Sequence, residues 1–230
     1  MSLQYKTIFL IGHEGSGKTT QAIYLYWWLR KKGKNPIQVK FTDENLLAFL
    51  FKILLLHLRS SNTYYSTYKQ MKYIDFDPNL IRKVFKFWCY LNCACEVLMY
   101  LLKIKLMKVL KFTVISEGHP IHAIINMYNI AVFHKIPVTN NIFAKFLLRL
   151  IKTREPLIIL HAPYDITVNR YIHRKSLIEP IWYISIQKKF LKYIINENPH
   201  SLLIDTAKND ILSTFQKIKD YLSSELKCLR

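Results

Sequence analysis

The sequence predicts an α/β protein: a three-layer sandwich with a parallel sheet of about five strands and helices on both faces. Three observations lead there. Short apolar runs at Ile8–Ile11, Pro36–Phe41, Phe112–Ser116, Pro156–His161 and Ser201–Asp205 alternate with helical patterns. That alternation of β and α elements specifies parallel strands joined by crossover helices. The first run passes directly into Gly12-His13-Glu14-Gly15-Ser16-Gly17-Lys18-Thr19, a complete G-x-x-x-x-G-K-[ST] sequence. Finally, 230 residues that are 51% hydrophobic with 5 Gly and 8 Pro describe a globular chain, expected to form one domain over 1–230.

In chain order, Gln21–Lys32 reads as the first helix, with Ala22, Leu25, Tyr26 and Leu29 at helical spacing and Gly33 behind a basic last turn. The strand Pro36–Phe41 is followed by Thr42 and Asp43, suited to cap a helix. Leu46–Leu58 is apolar almost all round but interrupted by Lys52 and His57. It is too short and too charged to span a bilayer, and is expected to be buried and to form a homodimer interface, with a membrane-surface face as the alternative. Residues 59–79 are polar and tyrosine-rich, a long connection of the kind that serves as a binding loop; Tyr64, Tyr65, Tyr68 and Tyr73 are candidates for stacking on a base. Leu80–Lys111 is a long helix with a continuous apolar stripe, and Phe112–Ser116 is the third strand, ending in Glu117-Gly118-His119-Pro120. Helical patterns from Ile121 to Arg149 break at Pro137 and restart after Asn140-Asn141. The strand Pro156–His161 leads through Ala162-Pro163 into a helix carrying Arg170, Arg174 and Lys175. Helices at Gln187–Asn196 and Asp210–Leu226 flank the last strand, Ser201–Asp205.

The glycine motif has a physical meaning at this position. A buried strand fixes the loop, and Gly12, Gly15 and Gly17 let backbone N–H groups of the Gly15–Thr20 segment turn inward around phosphates. The helix that follows directs its positive end at the same anion. Lys18 would bridge the β- and γ-phosphates, with the backbone of Ser16 and Thr20 in the cradle, and the Thr19 hydroxyl would take a place on Mg²⁺. The ligand so implied is a nucleoside triphosphate. Glu14 is an acid beside phosphates and suits a sugar hydroxyl or an orienting role better than a phosphate contact. Glu117, at the end of the third strand, lies where a carboxylate can hold Mg²⁺ or accept a hydrogen bond from substrate. Arg170 and Arg174, four residues apart, share one helix face and suit the equatorial oxygens of a transferring phosphoryl group; a solvated basic helix is the alternative.

Thirty-four Lys and Arg against 15 Asp and Glu give a net charge of +19. This fits nucleic acid, anionic lipid, or a polyanionic substrate drawn into a positive funnel. Of Cys89, Cys93, Cys95 and Cys228, the first three fall within a helical pattern and read as small apolar packing, and His119 and His122 have no further ligand at zinc spacing. The strand begins so early that no leader or transmembrane segment is expected, and the cytoplasm is the expected location.

The sequence resembles the thymidylate kinase family of nucleoside monophosphate kinases. The family's loop, E-G-x-D-G-[SA]-G-K-[ST]-T-Q, corresponds to Ile11 through Gln21, with Glu14 at the acidic position. PLIILHAPYDITVNRYIHR is similar to the family's fourth strand and the helix entering its arginine-bearing lid, here about 163–180. SLLIDTAKNDILSTFQKIKDYL is similar to its last strand and terminal helix. The resemblance implies ATP and Mg²⁺ as cofactors and nucleotides as substrates. In it Lys18, Glu117, Arg170 and Arg174 serve catalysis, and Gly12, Glu14, Gly15, Ser16, Gly17, Lys18, Thr19 and Thr20 bind the donor. Thr19 and Glu117 hold the metal, and dTMP is the first acceptor. The acceptor side departs from the pattern: Gly118 stands in place of the arginine after the third strand, Glu96 in place of an upstream helix arginine, Ile11 in place of the loop's first glutamate, and no R-E-P-G follows the second strand. Two other readings therefore stand beside it: a nucleotide-binding protein acting on nucleic acid or a partner through its basic surface, and a kinase for another acceptor such as a nucleoside.

Overall fold

The computed structural model describes residues 7–41, 47, 50, 78–137, 142–150, 155–175 and 181–228. The helix expected at Leu46–Leu58 (apart from Leu47 and Leu50), the tyrosines at 64–73, Thr42, Asp43, Asn140, Asn141 and residues 176–180 of the lid stretch lie outside the described residues. The chain divides into two compact units, one formed by Met1–Phe41, Tyr100–His119 and Ile151–Arg230, the other by Thr42–Met99 and Pro120–Leu150.

The first unit holds the whole sheet. Its strands are β1 (Thr7–Ile11), β2 (Pro36–Lys40), β3 (Thr113–Glu117), β4 (Leu157–His161) and β5 (Leu202–Asp205). They run parallel in the order β2-β3-β1-β4-β5. The order places β1 centrally, and all five of its residues are buried. A strand covered on both faces reads as an uninterrupted apolar run, which is why Ile8–Ile11 lacks polar alternation. Successive residues still point to opposite faces: Ile8 and Leu10 join Ile115, Ile158, Leu160 and Ile204 in one core cluster. Helix α1 (Lys18–Lys31) contributes Ala22, Leu25 and Leu29 to that cluster, and the C-terminal helix (Ile211–Cys228) contributes Ile218 and Leu222. The Asp210 side chain accepts from Ser213 N–H at 2.6 Å and caps the latter helix.

The second unit is helical among its described residues. Helix α2 (Pro78–Tyr100) buries Phe85, Trp88, Cys89, Asn92, Cys93 and Glu96 along one stripe at three- and four-residue steps. Helices α3 (His122–Phe133) and α4 (Ile142–Arg149) follow. The long helix expected over Leu80–Lys111 forms, with one difference: beyond Tyr100 the backbone widens into a π-helix over Leu101–Leu106 before a last turn at Met107–Val109. Nothing in LLKIKL announces that widening. Arg82–Val109 is long and apolar enough to cross a membrane by length and composition, with 44% of its most apolar 18-residue window buried inside the protein. The thiols of Cys89, Cys93 and Cys95 are buried, and burial pushes all three up, Cys93 to about 12. They pack as apolar groups, as the sequence suggests. No cluster of metal-binding side chains occurs among the described residues.

Helix ends show a second departure from ordinary usage. After α1, Gly33 takes φ +70° and the chain closes with Gly33 N–H to Arg30 O and Lys34 N–H to Leu29 O, a Schellman ending. The same left-handed position is filled by lysine at Lys111 (φ +63°), Lys135 (+54°) and Lys175 (+50°).

Candidate functional site

The site forms at the carboxyl end of β1, where Gly12 departs from the sheet. A side chain at Gly12 would place a Cβ 2.2 Å from the Leu160 carbonyl oxygen, so only glycine lets the loop lie against β4. Gly15, at φ +78°, is pressed by Thr167, whose methyl would sit 3.2 Å from a Cβ there. At Gly17 the surroundings are open, and a Cβ there would meet no heavy atom within 4 Å. The open position is the one that begins α1, whose N-terminal amides form an anion site.

Four of the loop's carbonyls accept from side chains. Lys18 Nζ donates to Gly12 O at 2.9 Å and to His13 O at 2.8 Å. His13 Nδ1 lies 2.8 Å from Glu14 O. Arg170 Nη1 donates to Gly15 O at 2.9 Å. A peptide whose carbonyl is fixed on one side presents its N–H on the other, so this bonding restricts which way the loop amides face; the Ser16 N–H itself donates to His13 O at 3.3 Å.

Thr19 and Glu117 meet as expected: the Thr19 hydroxyl donates to Glu117 Oε2 at 2.6 Å. Glu117 does not follow β3 but is its last residue, in register with Leu10 of β1 and Lys40 of β2, and the sheet therefore fixes its backbone. A hydroxyl and a carboxylate side by side are hard oxygen donors of the kind Mg²⁺ takes. The residues present fit the ion. The departure at Gly118 also gains a reason: its φ is +90° and its N–H donates to Leu10 O at 2.8 Å. An arginine at that turn would be strained in the left-handed region.

The arginines fall differently. Helix α5 (Tyr164–His173) carries Arg170, while Arg174 is the residue that ends the helix, its N–H donating to Arg170 O at 3.2 Å. The Arg170 guanidinium reaches Gly15 O and also Thr206, donating to its hydroxyl at 3.0 Å and its carbonyl at 2.7 Å. Burial and the neighbouring Arg174 charge lower its pKa while Asp205 raises it. Arg170 thus ties the phosphate loop to the turn after β5, and Arg174 remains exposed. Thr167, Thr206 and His13 belong to the site and carry no signal in the sequence, because each acts through a partner far along the chain.

No protein-family model and no curated protein matches the sequence. Among solved structures, thymidylate kinase from Ehrlichia chaffeensis is similar over 95% of this chain and 98% of its own, with TM-score 0.54 and 17% identity. Thymidylate kinase from Candida albicans is similar over 96% and 92%, with TM-score 0.55 and 15% identity. Deoxyadenosine kinase from M. mycoides, solved with bound dATP, is similar over 95% and 100%, with TM-score 0.54 and 13% identity. What the chain shares with these kinases is the fold, the parallel five-stranded α/β architecture expected from its sequence.

Proposed function

We propose that this chain is a divergent thymidylate kinase-like enzyme that transfers a phosphoryl group from ATP to a nucleoside monophosphate, dTMP first. The observation that carries the reading is the phosphate loop with its carbonyls held by Lys18, His13 and Arg170, and Thr19 bonded to Glu117 at 2.6 Å. In this reading the amides of Gly15, Ser16, Gly17, Lys18, Thr19 and Thr20 bind the donor phosphates, and Gly12 lets the loop lie close to the sheet. Lys18 exchanges its carbonyl partners for the β- and γ-phosphates. Thr19 and Glu117 would hold Mg²⁺, which supplies charge neutralisation on the phosphates when bound. Arg174 is free to approach the transferring group, Arg170 reaches it only by releasing Gly15 and Thr206, and Glu14 faces the acceptor sugar. The kinases of the same fold, the buried thiols and the need for ATP all fit a cytoplasmic enzyme.

A second reading is favoured by Gly118: with no arginine at that turn, a nucleoside could serve as acceptor in place of a monophosphate. The surplus of +19 suits polyanion binding, and a homodimer through Leu46–Leu58 belongs to the same reading. The test is ADP release from Mg-ATP with each nucleoside and nucleoside monophosphate in turn. Turnover with dTMP above all others supports the first reading, and turnover with a nucleoside alone moves the assignment to the second. Absence of turnover with every acceptor, with salt-sensitive DNA binding, refutes both in favour of a nucleic-acid role. Light scattering reads the oligomeric state.

A further inference from the structure

We infer that His13, to which the G-x-x-x-x-G-K-[ST] pattern assigns no chemistry, is a positioning residue: its imidazole fastens the phosphate loop to the carboxyl end of β4 and so sets the loop amides and Lys18 for the donor phosphates. The inference rests on the loop being the donor site.

The geometry fixes how the ring works. His13 is only 1% exposed, in a loop whose function requires contact with an anion. Both ring nitrogens are engaged by main chain. Nδ1 faces the Glu14 carbonyl oxygen at 2.8 Å, which can only accept, so Nδ1 carries the proton. Nε2 lies 3.0 Å from the Ala162 N–H, which can only donate, so Nε2 accepts. The Ala162 carbonyl oxygen is also 3.0 Å from Nε2, and a proton on Nε2 would exchange the N–H bond for one to that carbonyl. One tautomer therefore satisfies both Glu14 and Ala162 while leaving the ring neutral. Burial, the Lys18 ammonium and His161, whose ring packs edge-on at 5.7 Å, all favour the neutral form.

The ring is thus a rigid strut between two backbones. One end holds the carbonyl of residue 14, and the other holds the residue that precedes Pro163 and α5. The carbonyl of His13 itself accepts from Lys18, so one residue fixes the loop from its side chain and the lysine from its main chain. With the ring removed, the Glu14 carbonyl loses its side-chain partner and the adjoining peptide is free to rotate. A rotated peptide would turn a carbonyl, not an N–H, toward the phosphates. A general acid or base role is excluded by the same contacts, since neither nitrogen is open to a substrate.

The experiment titrates Mg-ATP into the full chain by calorimetry for wild type, His13→Phe and His13→Gln, with steady-state kinetics and thermal melting alongside. Phenylalanine keeps the ring and loses both bonds; glutamine offers one acceptor and one donor. We expect His13→Phe to weaken Mg-ATP binding and raise the KM for ATP at least about tenfold without moving the KM for the acceptor, and His13→Gln to recover most of it. Wild-type affinity in a folded His13→Phe, or a folded His13→Gln as weak as His13→Phe, overturns the inference. Should His13→Phe fail to fold, ¹⁵N spectra of the wild-type imidazole decide: an Nδ1–H tautomer supports the strut and an Nε2–H tautomer overturns it. A wild-type chain that binds no Mg-ATP refutes the donor-site reading instead, and the spectra still test the strut.

Discussion

The phosphate loop and the interior of the α2–α3 unit differ in how their backbone and side-chain polar groups are held. In the loop, the carbonyls of Gly12, His13, Glu14 and Gly15 all have side-chain partners. In the other unit, Asn92 and Asn129 are buried at 0% and 2% exposure, and among the described residues neither amide has a hydrogen-bond partner at its nitrogen or its oxygen. Glu96 is buried on the same helix stripe as Asn92. A buried amide without a partner costs about 1–3 kcal/mol. In the loop the backbone carbonyls are held by side chains while the buried Ser16 hydroxyl oxygen has no partner among the described residues; in the other unit whole amide side chains are left without one. The contrast runs parallel to the sequence, in which the donor motif is intact and the positions expected to serve the acceptor are rewritten.

The comparison can be broken at four points. The largest effect is expected from Lys18→Ala: ADP release should fall at least about 10³-fold with the circular dichroism spectrum unchanged, and retained turnover would remove the loop from catalysis. Next comes pH. Burial holds His13 at about 4 against an ordinary 6.5, so the unfolded chain takes up a proton before the folded one does. The resulting stability is fully present above pH 6.5 and is lost as pH falls toward 4, by about 3 kcal/mol in all. Chemical denaturation of wild type and His13→Gln between about pH 4 and 7 should show this slope in the wild type and its loss in the variant. On the other side of the comparison, Asn92→Leu should raise stability by about 1–3 kcal/mol, read as a shift in the denaturation midpoint. A loss of stability would mean that the amide is satisfied in solution. The smallest effect belongs to the helix ends: Lys135→Gly relieves a left-handed lysine and should add about 0.5–1 kcal/mol. No gain would show that the lysine charge at the helix terminus offsets the strain.

The sheet was legible because its signal is local. Ile8–Ile11, Leu157–His161 and Leu202–Asp205 are apolar runs bounded by turns, and alternation with helices leaves few topologies open. The phosphate loop was legible because its glycines, Lys18 and Thr19 are contiguous. The partnership of Thr19 with Glu117 was accessible too, since parallel topology brings strand ends together. What sequence could not give was the destination of long side chains. Arg170, expected over the transferring phosphate, instead ends on Gly15 and Thr206, because buried carbonyls at the foot of the loop compete for its donors. His13 was invisible for a similar reason: its partner Ala162 is 149 residues away. The π-helix at Leu101–Leu106 follows from no propensity of those residues.

The side-chain hold on the loop carbonyls has a consequence for how fast and at what entropic cost a ligand is taken up. A glycine-rich loop left to itself would sample many backbone conformations, and a ligand would have to freeze them on arrival. Here His13 and Arg170 have already restricted that freedom during folding. Binding should therefore proceed without a slow ordering step, at a rate limited by encounter in a strongly positive field, and fall steeply as salt is added. It should also carry little of the conformational entropy loss that flexible sites incur.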